Sequence, residues 1–243
     1  MVLAEAVAVV TGASSGIGAA VALALAQRGV RVTATARRSD RLAMLAEQAA
    51  TLGGRVQALA ADLSSELAIR EVFRQSEEQW GRLDILVNSA GVGIVSNVAN
   101  GSVEAWRTMW EVNVLATAIA MQEALRRFPP DGGHIINVGS TSGHRVSSAD
   151  AGFYAATKFA VRGLTDAVRY ELRVNHSRTR ISLLSPGRVN TDLFRDGQPP
   201  AAAAGSYPQL TPEDVAELVL QLLQTPPNVE INEVIVRPRD QVQ

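Results

Sequence analysis

Cysteine is absent from the 243 residues, and with it go disulfides, thiolate nucleophiles and metal sites built on sulfur. An excess of basic residues is missing too. The 23 lysines and arginines are matched by 24 acids, a formal charge of -1, so the chain lacks the net basic face that a nucleic-acid partner requires. No apolar run is long enough to span a bilayer. The N-terminal MVLAEAVAVVTG carries Glu5, has no basic leader and runs straight into a glycine turn, so it reads as a buried first strand and not as a signal peptide. A cytoplasmic protein with neither a nucleic-acid nor a membrane partner is expected. No internal repeat and no interdomain linker divides the chain, and 47% hydrophobic residues are ordinary for a folded domain. One domain over residues 1–243 is expected, since a chain of this length can bury a single large core.

What is present is an alternation. Short apolar or β-branched runs recur between longer segments of helical period, the pattern of βαβ units and a parallel sheet. The spacing predicts strands over 7–10, 31–36, 56–60, 85–88, 134–138, 181–184 and 233–236, and helices over 16–28, 40–52, 65–79, 103–127, 153–176 and 212–224. Thr211, Pro212, Glu213 and Asp214 supply an N-cap, a proline at the first helical position and acids in the first turn of the last helix. The fold class is therefore α/β: a Rossmann-type doubly wound sheet of about seven parallel strands with helices on both faces. The stretch DGQPPAAAAGSYPQ, residues 196–209, is too rich in Pro, Ala and Gly to read as a helix. A substrate lid around 188–210 is expected there, with a tolerated surface insertion as the alternative.

The segment VVTGASSGIGAAVALALAQRG joins a buried strand to a helix through Gly12, Gly16 and Gly18. Such a turn lets the backbone approach a pyrophosphate and aims the helix N-terminal N–H groups at it. A tight turn that merely packs a helix on a sheet would look similar. At the end of the second strand, TATARRSDR places Ala36 where an acid would bind a ribose 2'-hydroxyl, followed by Arg37 and Arg38. A missing carboxylate and available guanidinium donors favour the 2'-phosphate of NADP(H), with Arg37 the preferred donor.

In FYAATKFAV, Tyr154 and Lys158 stand four positions apart with only small residues between them. On a helix they share one face. An ammonium beside a phenol favours the phenolate, bringing its proton affinity toward that of a useful acid or base.

Taken together, the TGxxxGxG spacing, NSAG at 88–91, the NVGS serine Ser140, the Tyr154 and Lys158 pair and SPGRVNT at 185–191 resemble the short-chain dehydrogenases/reductases. The likeness extends over residues 11–191. It implies that Tyr154 is the general acid in carbonyl reduction and the base in alcohol oxidation. Lys158 would hold the nicotinamide ribose and lower the tyrosine pKa, and Ser140 would hydrogen-bond the substrate oxygen. Asn113, in WEVNVLAT, would position a water leading from Lys158 toward solvent. It further implies cofactor contacts from Gly12, Ser14, Ser15, Gly16, Ile17 and Gly18 in the turn. Asp62 and Leu63 would lie at the adenine, Asn88, Ala90 and Gly91 along the ribose, and Pro186, Gly187, Val189 and Thr191 beside the nicotinamide. Two departures stand out: Ser89 replaces the second Asn of the family's NNAG, and one extra residue separates Ser140 from Tyr154. Ser142 is the substitute donor that this insertion leaves open.

Substrate choice belongs to loops at the C-terminal strand ends. Val92 to Val95, Phe153, Leu193, Phe194 and Tyr207 suggest an apolar pocket, with His144 and Arg145 as polar decoration. Arg145 either binds a carboxylate or is solvated. The C-terminal LTPEDVAELVLQLLQTPPNVEINEVIVRP resembles that of the NADP-dependent 3-hydroxy acid dehydrogenase subgroup, which implies a small ketone, aldehyde or 3-oxo/3-hydroxy acid; steroid, acyl-carrier and antibiotic-pathway substrates remain open. The Val114 to Ala120 helix face and the helix after Tyr154 are expected to pair in a homo-oligomer, a tetramer or dimer as in the family. A catalytically silent NADP-binding sensor or scaffold is the competing function, and the intact Ser, Tyr, Lys and Asn set argues against it.

Overall fold

The computed structural model describes residues 3–146, 151–193 and 209–241. Among them are β1 (Val7–Thr11), β2 (Arg31–Ala36), β3 (Arg55–Ala60), β4 (Ile85–Asn88), β5 (His134–Val138), β6 (Arg180–Pro186) and β7 (Glu233–Val236). They form one parallel sheet in the order β3-β2-β1-β4-β5-β6-β7. The helices are α1 (Gly16–Gln27), α2 (Ser39–Thr51), α3 (Glu66–Trp80), α4 (Val103–Trp110), α5 (Ala116–Leu125), α6 (Gly152–Val174) and α7 (Pro212–Gln224). The predicted seven-stranded doubly wound sheet is thus the one observed, with boundaries shifted by one or two residues in β1, β3 and β6 and unchanged in the other strands.

Alternation along each strand divides the core in two. Ala8, Val10, Val32, Ala34, Val87 and Ile136 face one way and pack against α1, α2 and α7. Val7, Val9, Leu86, Ile135 and Ile181 face the other way, against α3, α5 and α6. Because both faces are covered, the strands read as continuous apolar runs and not as alternating ones. Phe73 on α3 is 1% exposed, and burying a side chain of this kind contributes about 1.5–3 kcal/mol.

Helix ends follow the sequence signals. Thr211 and Asp214 form a reciprocal capping box, with Asp214 N–H donating to Thr211 Oγ1 at 3.1 Å and Thr211 N–H donating to Asp214 Oδ2 at 2.7 Å. α3 stops at Gly81, whose φ of 76° is left-handed. The helix predicted over 103–127 is interrupted. Residues Glu111–Leu115 form a π turn in which Ala116 N–H reaches back five residues to the Glu111 carbonyl. The face expected to meet another copy also differs: Val114, Ala116 and Ala120 are buried in this chain's own core, leaving Trp110 and Leu115 as the exposed apolar residues there.

The predicted lid lies largely outside the described residues, which stop at 193 and resume at 209. Its two ends are joined: Asn190 N–H donates to Leu210 O at 2.9 Å and Leu210 N–H to Arg188 O at 3.0 Å. No helix among the described residues is long and apolar enough to cross a membrane.

Candidate active site

The strand order reverses direction between β1 and β4, and the loops leaving these two strands part there to make the crevice that such sheets use for ligands. The two loops are stitched together by Thr11, which opens the TGxxxGxG turn and to which the motif reading gave no role of its own. Thr11 Oγ1 accepts the N–H groups of Ser89 and Ala90, each at 3.1 Å. Gly12 has a φ of 69°, and a Cβ there would lie 2.7 Å from the Ala90 Cα, so both the turn and the close approach require glycine. Thr191 closes the other side, its methyl 2.8 Å from where a Gly16 Cβ would stand.

Ser15 is the N-cap of α1, yet its hydroxyl makes no capping bond to the helix. It lies instead 2.5 Å from Arg38 Nη2, while Ser14 Oγ receives Arg38 Nε at 3.2 Å and Nη2 at 3.1 Å. No acid occupies the first turn of α1. Uncapped helix N–H groups, a turn with glycine at 12, 16 and 18, and a guanidinium folded over it fit a pyrophosphate-bearing dinucleotide. Arg37 and Arg38 are both exposed, but Arg38 is the one held at the turn, whereas the sequence favoured Arg37.

The remaining cofactor candidates divide into those that line the crevice and those that shape it from behind. Ala90 and Gly91 are half-buried beside it. Asn88 is buried and donates to Asn137 Oδ1 at 2.9 Å, and Asn137 donates onward to Thr165 Oγ1 at 2.9 Å. Asn88 therefore fixes β4 to β5 and holds the segment after it in place. Asp62 accepts from the N–H and hydroxyl of Ser64 at 3.1 and 2.9 Å, and Leu63 is buried in the α3 side of the core. Pro186 ends β6; Gly187 N–H donates to Val236 O at 2.6 Å, and Val189 pairs with Leu210. Gly18 lies in α1 against the Gly12 carbonyl, and Ile17 packs on the core.

At the far end of the crevice, Tyr154 and Lys158 project from α6 and are 5% and 6% exposed. Lys158 Nζ stands 5.8 Å from the centre of the Tyr154 ring and donates to the Val138 carbonyl at 3.0 Å. Ser140, just beyond β5, hydrogen-bonds Tyr154 and accepts Ser142 N–H at 3.0 Å. Ser140, and not Ser142, is thus the serine in contact with the tyrosine. The pKa pattern differs from the sequence expectation. Burial pushes the Tyr154 phenol up to about 12, the Ser140 bond opposing it, and burial lowers the Lys158 ammonium to about 8. In a dry crevice the desolvation of each ion outweighs what the lysine offers the phenolate.

Asn113 is held within the protein: its Oδ1 accepts Val92 N–H at 2.8 Å, and its Nδ2 donates to Val92 O and Thr157 Oγ1, both at 3.0 Å. The side chain thus splints the π turn to the loop after β4. His144 is likewise engaged elsewhere: its Nε2 lies 3.1 Å from Ser185 Oγ and 3.0 Å from Glu233 Oε1, on β6 and β7. Arg145 is half-buried. Phe194 and Tyr207 lie outside the described residues. Phe153 stacks on Trp106 with ring centres 5.3 Å apart, and these two join Val92, Ile94, Met109 and Leu193 in an apolar cluster around Tyr154. Gly93 N–H donates to Leu193 O at 3.0 Å, tying the two loops of this wall. Trp106, Met109, Thr157 and Asn137 belonged to no motif; a polar Asn137 inside the apolar run IINV was the one visible clue. No group of His, Asp or Glu among the described residues could hold a metal ion.

A doubly wound sheet with a pyrophosphate turn at its switch point and a Ser, Tyr and Lys set at the other end of the crevice defines an oxidoreductase that uses a nicotinamide dinucleotide. The chain belongs to the short-chain dehydrogenase family, whose model matches residues 6–200. It is 42% identical over 247 residues to dehydrogenase/reductase SDR family member 11 of Bos taurus, covering 97% of this chain and 96% of that one. It is 36% identical over 239 residues to a farnesol dehydrogenase of Aedes aegypti, covering 96% and 95%. The crystal structure of a metagenomic short-chain oxidoreductase in complex with NADP superposes with a TM-score of 0.81 at 32% identity, covering 99% of this chain and all of that one, 100%.

Proposed function

We propose that the protein is an NADPH-dependent oxidoreductase acting on a carbonyl/secondary alcohol pair. The class of substrate is a small ketone, aldehyde or 3-oxo/3-hydroxy acid bearing an apolar alkyl or aryl body. The observation that carries this reading is the buried contact of Ser140 with Tyr154 one helical turn from Lys158. A nicotinamide dinucleotide held in the crevice would supply the hydride for the carbonyl carbon. Tyr154, with its phenol held up near 12, keeps its proton at physiological pH and is the group that gives it to the developing alkoxide. The Ser140 hydroxyl donates to the same oxygen and stabilises its charge. Lys158, fixed on Val138, has hydrogens left that would hold the ribose hydroxyls of the cofactor. The preference for NADPH is supported by Arg38 over Ser14 and Ser15, by the absence of an acid at Ala36, and by the NADP complex of the structural relative. The apolar body is supported by the Trp106 and Phe153 wall and agrees with the name of the farnesol dehydrogenase relative.

The reading also includes a cytoplasmic homo-oligomer, a dimer or tetramer formed through exposed Trp110, Leu115 and Phe159; light scattering that returns a monomer at working concentration would remove that part. The chemical core is tested with Tyr154→Phe. Loss of NADPH-dependent ketone reduction by about 10²–10⁴, with NADPH binding kept within a few-fold, is the expected result. Turnover within tenfold of wild type would refute the assignment of the proton donor.

A further inference from the structure

We infer that His144 is a positioning residue of this active site: its imidazole pins the turn that carries Ser140 to the β6 and β7 edge of the sheet, and so sets Ser140 against Tyr154. The inference rests on the reading of Ser140 and Tyr154 given above.

Ser140 does not lie on a strand. It follows β5 and begins a short turn, Thr141–Gly143, whose own hydrogen bonds are local: Gly143 N–H to Ser140 O at 2.9 Å and His144 N–H to Thr141 O at 3.1 Å. One end of the turn is fixed by Gly139 N–H donating to Leu184 O at 2.8 Å. Its middle rests on α6, because a Cβ on Gly143 would lie 2.8 Å from the Lys158 carbonyl oxygen. The other end is held by His144 through contacts on two strands, Ser185 at 3.1 Å and Glu233 at 3.0 Å.

The hydrogen bond of Nε2 is to the Ser185 hydroxyl, and the Glu233 carboxylate oxygen stands beside it at ion-pair distance, 3.0 Å, without hydrogen-bond alignment. Glu233 Oε1 is also 3.7 Å from Arg162 Nε. Arg162 stands four residues after Lys158 and eight after Tyr154 on α6, so these three side chains leave adjacent turns of one helix. The contacts therefore close a ring: Tyr154 to Ser140, along the turn to His144, across to Glu233, and through Arg162 back to α6. A serine on a turn closed in this way is held at two ends and cannot drift from the phenol without opening the ring. His144 touches neither Tyr154 nor Lys158 in this arrangement; it acts through the turn.

The test uses the full chain, NADPH and 1-phenylpropane-1,2-dione as a probe ketone, with His144→Leu, His144→Gln and Glu233→Leu. In His144→Leu, amide hydrogen exchange over residues 139–146 should quicken by about fivefold or more while β2 and β3 stay protected. The kcat should fall by about tenfold with the NADPH dissociation constant unchanged, because a misplaced donor costs rate and not cofactor binding. His144→Gln, whose amide can reach the same carboxylate, should recover most of both changes, and Glu233→Leu should reproduce the loss without the histidine being touched. Unchanged exchange over 139–146 in both leucine variants overturns the inference, as does an equal fall in kcat and NADPH affinity that glutamine does not rescue. A wild type inert toward the dione and other ketones would count against the proposed function; the exchange comparison would still decide the role of His144.

Discussion

Lys158 donates from Nζ to the carbonyl oxygen of Val138 at 3.0 Å, and this bond anchors a fully enclosed ammonium to the end of β5. The anchor replaces only one of the water contacts that an ammonium loses on burial. Its pKa falls to about 8 in consequence. The same enclosure raises the Tyr154 phenol, so before cofactor binds the site holds a neutral acid and a reluctant cation side by side.

Lys158→Met is accordingly expected to stabilise the cofactor-free protein while abolishing turnover. The folded value of about 8 lies below the ordinary 10.5, so the unfolded chain binds this proton more tightly and stability rises as pH climbs from 8 to 10.5. Below 8 the full deficit is present. It amounts to about 3 kcal/mol, from roughly 1.4 kcal/mol per pKa unit, less about 1 kcal/mol for the acceptor on Val138 left unpaired. Urea unfolding near pH 7 should therefore show the variant more stable by about 2 kcal/mol, an advantage that disappears above about pH 10.5. A variant less stable than wild type at pH 7 would show that the lysine is better solvated than its burial implies.

Arg38→Ala should weaken NADPH binding and leave NADH binding nearly unchanged. A charge-assisted hydrogen bond contributes about 1.5–3 kcal/mol, so a rise of roughly ten- to a hundredfold in the NADPH dissociation constant is expected by fluorescence titration. Arg37→Ala should have the smaller effect, because only Arg38 is held by Ser14 and Ser15 at the turn. Equal NADH and NADPH affinity in the wild type would remove the 2'-phosphate reading altogether.

How much of this was legible in the chain can be judged residue by residue. Strands such as Val7–Thr11 were visible because a parallel strand covered on both faces is apolar throughout. Gly12, Tyr154 and Lys158 were visible because a turn and a helical pair are local in sequence. The π turn at Glu111–Leu115 was not, and the residue that Asn113 bonds within it, Val92, lies twenty-one residues away in sequence. His144 was misread as a pocket residue for the same reason: its partners Ser185 and Glu233 arrive from strands that only the folded sheet brings beside it. Arg37 was preferred to Arg38 for want of the deciding fact, which guanidinium folds back over Ser14, a contact between residues distant in sequence.

His134 offers a prediction about stability that is independent of catalysis. It opens β5, is 1% exposed, and has its Nε2 3.0 Å from Ser182 Oγ, while its Nδ1 is buried with no partner. Burial, reinforced by the nearby Arg180 guanidinium, lowers its pKa to about 3 from 6.5. The imidazole is therefore held neutral in the fold and must stay so for the sheet to keep its packing. A folded pKa depressed in this way contributes stability that is complete above 6.5, declines as pH falls below 6.5, and is lost by about 3. At about pH 5 the loss from this group alone should reach about 2 kcal/mol relative to neutral pH. His134→Gln keeps a polar group near Ser182 but cannot take up a proton. Urea unfolding of both proteins at about pH 7.5 and about pH 5 should then show a steeper acid loss for wild type, with the two lines differing by about that amount. Parallel losses would mean that His134 titrates close to its ordinary value and that water reaches the start of β5.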